Sequence, residues 1–143
     1  MIDIDEFTRG ARPAIRSLIE VYAGGEAAAA FDVDPRSAVD ALDEYVMRLP
    51  IRELETDDWI TLHSDLIAFV TVVLQEIYGA TCRARLDDAL PTGWEFVIDV
   101  VGEDGQQRTI VPWTLVLEHL RPVPQRIPRL LEAVERAAGH GAG

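Results

Sequence analysis

The sequence predicts a single α+β domain: three N-terminal helices, the third central and buried, then a three-stranded antiparallel β-meander and two C-terminal helices. Three observations carry this expectation. Apolar residues recur at helical spacing as far as Tyr78, the period changes from 3.6 to 2 after Gly79, and Pro112 opens a return to helix. At 143 residues and 48 % hydrophobic content the chain can bury one core but not two. Residues 1–138 are therefore read as one domain and 139–143 as a flexible tail.

The first helix is expected from about Ala11 to Tyr22, where Ile15, Leu18, Ile19 and Tyr22 share one face; Gly24 and Gly25 end it. Ala27–Ala30 reads only as a low-complexity tract. The second helix starts at Asp34, whose carboxylate can cap free N–H groups, with Pro35 in the first turn where its missing donor costs nothing. Val39, Leu42, Val46 and Leu49 form its apolar stripe, and Pro50 stops it. The third begins at Thr56 as cap, carries Asp57 and Asp58 at the positive end of its dipole, and ends at Tyr78 before Gly79. From Leu66 to Ile77 nearly every direction around this helix is apolar, the mark of a helix buried on all sides.

Thr81–Leu86 and Trp94–Val101 alternate as strands do. A loop centred near Leu90 sets Arg85 opposite Glu95 and Ala84 opposite Phe96, so that both faces agree. Asp104-Gly105 marks a turn into a third strand, Gln107–Val111, with Ile110 or Val111 facing the core according to the loop length. Pro112 and Trp113 open a short helix to about Arg121; Pro122, Pro124 and Pro128 read as a stiff connector. Leu130, Leu131, Val134 and Ala138 define the last helix.

There is no lysine and no asparagine, so all 13 basic side chains are arginines, set against 25 carboxylates for a net charge of -12. That balance disfavours nucleic acid and anionic membranes, and a chain without a basic stripe interleaved with aromatics offers no nucleic-acid face. Coding bias and solubility are the competing explanation of the acidity. A lone Cys82 gives no disulfide and is expected to be a small buried hydrophobe; the acidic N-terminus resembles no export signal, and the run Leu66–Leu74 is far short of the roughly 20 residues that span a bilayer. A cytoplasmic location is the expectation.

His63-Ser64-Asp65 contains the residue types of a hydrolase triad, but helical neighbours diverge by about 100° and cannot form a relay. His63 is instead expected to pack. The three histidines, His63, His119 and His140, fall on separate elements, and Asp32-x-Asp34 is too short a pattern to define a metal site, so no metal or cofactor is assigned. Arg83 and Arg85 share a strand face and form either an anion clamp or cross-strand pairs with Asp99 and Glu95, the latter being favoured. Glu53, Glu55, Asp57 and Asp58, with Asp3 and Glu6, are either an acidic docking surface or a capped, solvated helix start. Trp94 and Trp113 lie where strand or helix meets loop, positions suited to a shallow binding groove or to closing the ends of the core.

The expected function is a small, acidic, non-catalytic module that binds another protein with a basic or apolar surface, as immunity or chaperone-like proteins do. Its candidate contact residues are Trp94, Trp113, Arg83, Arg85, Glu55, Asp57 and Asp58. The alternative is a small-ligand protein or enzyme using the arginine-bearing sheet face or the tryptophan groove. A homodimer through a strand edge is compatible with either.

Overall fold

The computed structural model describes residues 3–49, 53–120 and 126–140. Six α-helices and one antiparallel sheet follow in the order α1 (Ile4–Ala23), α2 (Gly25–Val33), a 3-10 turn (Pro35–Ala38), α3 (Val39–Arg48) and α4 (Thr56–Tyr78). Then come β1 (Thr81–Leu86), β2 (Trp94–Val101), β3 (Gln107–Ile110), α5 (Pro112–Leu120) and α6 (Ile127–Ala137). The layout is α+β, with helices on both chain-wise sides of the meander.

Helix α4 is the centre of the molecule. Its residues from Leu66 to Leu74 are all buried, and α1, α5, β2 and the 3-10 turn lean on it. Helix α4 is long and apolar enough to cross a bilayer, yet 61 % of its most apolar stretch is buried by the chain's own elements. It ends where the sequence predicts. Gly79 adopts φ 67° and ψ 27°, its N–H donates to Gln75 O at 3.1 Å, and Ala80 N–H donates to Leu74 O at 3.0 Å. That left-handed step turns the chain from helix into β1.

Three helix boundaries differ from expectation. Helix α1 starts well before Ala11, because Asp3 accepts a hydrogen bond from Glu6 N–H at 3.2 Å and Phe7 packs edge-on against Phe96 of β2, with ring centroids 5.2 Å apart. Pro13 lies inside this helix, where it lacks the N–H of one backbone hydrogen bond. The alanine tract is helix α2, an element the periodicity missed; its Ala28 and Phe31 are fully buried. The cap of α4 is Glu55 rather than Thr56, with the Asp58 carboxylate accepting from Glu55 N–H at 3.2 Å. Asp34 does cap as expected, accepting from Arg36 N–H at 3.0 Å, but over a 3-10 turn that precedes α3.

The sheet has order β1-β2-β3. Arg85 pairs with Glu95 and Ala84 with Phe96, the predicted register, and Ile110 pairs with Ile98 on the core face, which resolves the β3 choice in favour of Ile110. Pro128 lies in the first turn of α6, not in a connector. Arg121, Pro122 and Pro124 lie outside the described residues, as do Pro50 and residues 141–143. Gly139 and His140, assigned to the tail from sequence, are bonded to the body. Gly139 O accepts from Glu103 N–H at 3.0 Å, and His140 Nε2–H donates to Val101 O at 2.7 Å.

Two polar clusters tie elements far apart in the chain. Asp43 of α3, buried at 8 % exposure, accepts from Ile127 N–H at 2.8 Å and from the Arg126 guanidinium at 2.8 Å, so that α3 caps α6. Arg36 donates to Tyr78 Oη at 2.9 Å and to Glu135 at 3.0 Å, Tyr78 Oη–H donates to Glu135, and His140 stacks on Tyr78 with centroids 4.2 Å apart.

Candidate functional site

Most of the described arginines are engaged by the chain's own carboxylates. Arg12 bridges Glu76 and Asp32, Arg16 holds Asp32 and Glu20, Arg36 holds Glu135, and Arg126 holds Asp43. On the sheet, Arg83 Nε donates to Asp99 at 2.6 Å, Thr109 Oγ1 donates to the same carboxylate at 2.7 Å, and Arg85 pairs with Glu95. The contact with Arg83 holds the Asp99 carboxyl below its ordinary value. These are the cross-strand pairs that the sequence favours over an anion clamp.

The two tryptophans have separate surroundings. Trp113, 57 % exposed at the start of α5, contacts His63 of α4, with ring centroids 4.1 Å apart. His63 is buried, and its Nε2–H donates to the Trp113 carbonyl oxygen at 2.9 Å, the packed role expected of it. Trp94 is half-buried at the start of β2 and pairs with Leu86. No ring contact joins Trp94 to Trp113 among the described residues. Cys82 is partly buried against the core, and burial followed by the Asp99 charge pushes its thiol up to about 11, which disfavours the reactive thiolate. Asp32 is occupied by arginines and Asp34 by the backbone; among the described residues no group of three or more potential ligands is placed to hold a metal ion.

Of the carboxylates without an ion pair among the described residues, the largest group lies at the starts of α1 and α4, with others on α2, α3, α5 and the β1–β2 loop. Asp5, Glu6, Glu53, Glu55 and Asp57 are exposed and form no ion pair among the described residues. Three carboxylates, Asp3, Glu6 and Asp65, meet at a cleft of about 460 Å³ between α1 and α4, within the roughly 300–1,000 Å³ typical of ligand clefts. Phe7 and the small residues Gly10, Ala14 and Ala68 give it an apolar lining. Asp65 is half-buried, and this desolvation raises its carboxyl above the ordinary carboxylate range. Burial raises the Tyr45 hydroxyl, and Asp65, Tyr22 and Asp58 raise it further.

The sequence nominated the acids Glu55, Asp57 and Asp58 at the start of α4, and Trp113, but not the cleft. Asp65 was visible only as part of a failed triad, and Asp3 and Glu6 only as members of an acidic run. Compared with family models, with curated proteins and with solved structures, the chain matches none.

Proposed function

We propose that the protein is a small, non-catalytic interaction module that binds a basic partner protein, in the manner of an immunity or chaperone-like protein. The observation that carries this reading is an imbalance of charge: most of the described arginines are neutralised within the fold, while the carboxylates Asp3, Asp5, Glu6, Glu53, Glu55, Asp57, Asp58 and Asp65, at the start of α1, at the start of α4 and at the cleft between these helices, have no arginine partner among the described residues. A surface of this kind attracts cations and steers their approach, with a strength that falls as salt rises. Trp113, exposed at the start of α5, and Ile60, equally exposed on α4, add apolar area of the sort that anchors interfaces.

Affinity capture on the tagged chain at about 50 mM and about 500 mM salt, with bound proteins identified by mass, tests the reading. A basic protein retained at low salt, released at high salt, and lost from a Glu6→Gln/Asp57→Asn variant is the expected result. Recovery of nothing at either salt, or equal recovery by the variant, overturns it.

A further inference from the structure

The cleft between α1 and α4 has a helix-interior glycine on its lining that the fold does not require. Gly10 lies inside α1 with no positive φ, and a Cβ added there meets nothing within 4 Å. Glycine in a helix interior is disfavoured relative to alanine. Internal packing supplies no reason for it; bare backbone at that point allows another backbone to come close. Ala14 and Ala68 extend the same low surface along α1 and α4, with Phe7 beside it.

The chemistry of the lining then restricts the occupant. The Asp65 side chain has no hydrogen bond or ion pair among the described residues, its carboxyl is desolvated, and no basic residue lines the cleft. An anionic guest would meet repulsion, and a wholly apolar one would leave Asp65 further desolvated with no partner. A guest that is apolar on one side and cationic along its border satisfies both demands.

We infer that the α1/α4 cleft receives a cationic amphipathic helix of a partner protein, its small or apolar residues over Gly10 and Ala14 and an arginine or lysine paired with Asp65. This rests on the reading of the chain as a protein-binding module and assigns that module its docking groove. Helix-in-groove recognition of this kind places apolar side chains at one-turn intervals along a channel, and the row Phe7, Gly10, Ala14 has that spacing.

The test uses the full chain and a synthetic 18-residue amphipathic helix of leucine, alanine and lysine, with a second peptide carrying glutamate in place of lysine as control. At about 50 mM salt the lysine peptide should shift the amide resonances of Phe7, Gly10, Ala14, Asp65 and Ala68, and the glutamate peptide should not. Gly10→Leu, which fills the floor with a good helix former, should weaken binding about tenfold while circular dichroism and melting temperature stay unchanged or rise. Asp65→Asn should weaken it and reduce its salt dependence. Binding with shifts elsewhere and no effect of Gly10→Leu overturns the groove while leaving the interaction reading in place. No shift with the lysine peptide also overturns the groove, and the salt-dependent capture then judges the interaction reading separately. Equal binding of the glutamate peptide, or a doubled sedimentation mass of the free chain abolished by Gly10→Leu, overturns the cationic guest.

Discussion

The Asp43 carboxylate reaches across 84 positions of sequence to accept a hydrogen bond from the backbone N–H of Ile127 at 2.8 Å, so that one helix supplies the cap of another. Asp43→Ala removes this acceptor from a buried position and should lower stability by about 1–2 kcal/mol, the usual effect of losing a helix cap. Asp43→Asn, which keeps one acceptor oxygen, should recover part of the loss. Urea midpoints of the two variants check this.

The same carboxylate sets an acid limit. Its desolvation is outweighed by the hydrogen bonds from Arg126 and Ile127, which hold it below the ordinary aspartate value, and Asp99 is likewise lowered, chiefly by Arg83. A group whose folded value is depressed stabilises the fold above its unfolded value, near pH 4, and loses that contribution as pH falls toward the folded value. Stability should therefore drop on acidification below about pH 4, with a shallower slope in Asp43→Asn.

Asp65 should behave in the opposite sense. Burial raises its folded value, so ionisation opposes folding, and the penalty grows as pH rises from the ordinary carboxylate value through the raised one. Asp65→Asn should raise the melting temperature at pH 7 and leave it unchanged well below pH 4. An unchanged melting temperature at pH 7 would contradict the desolvation seen at the cleft.

Two glycines should respond to alanine with opposite signs. Gly79 holds φ 67° at the end of α4, and Gly79→Ala should cost about 1–2 kcal/mol because a Cβ is strained in that conformation. Gly10 lies within α1 with open space around its missing Cβ, and Gly10→Ala should stabilise by about 0.5–1 kcal/mol. Chemical denaturation of both variants under one set of conditions measures the contrast.

Arg83 and Arg85 already hold Asp99 and Glu95. Titration with inorganic phosphate should leave their resonances in place. Saturable shifts there would restore the anion site that the cross-strand pairing argues against.

How much of this was legible in the sequence depends on whether the signal was local. Helix α4 announced itself by apolar residues on every side, and the β1–β2 register by two alternating faces that agree when the loop is centred near Leu90. Helix α2 was hidden because Ala27–Ala30 shows no contrast between faces; its helicity comes from alanine propensity and from the burial of Ala28 and Phe31. The early start of α1 depends on Phe7 meeting Phe96, a contact that local spacing around Pro13 does not reveal. The role of Asp43 is not legible from sequence, since nothing near it in the chain discloses its partners Arg126 and Ile127. The cleft was illegible for the same reason. Gly10, Ala14 and Ala68 are unremarkable small residues until α1 and α4 are set side by side.

Every cation that ties these elements together is a guanidinium, because the chain has no lysine. Arg12, Arg36 and Arg126 are pushed higher still by their carboxylate partners, and the Tyr78 hydroxyl is raised by burial and by Glu135. Alkali that would discharge lysine-based bridges leaves these intact. The ionic frame of the fold is thus more tolerant of base than of acid.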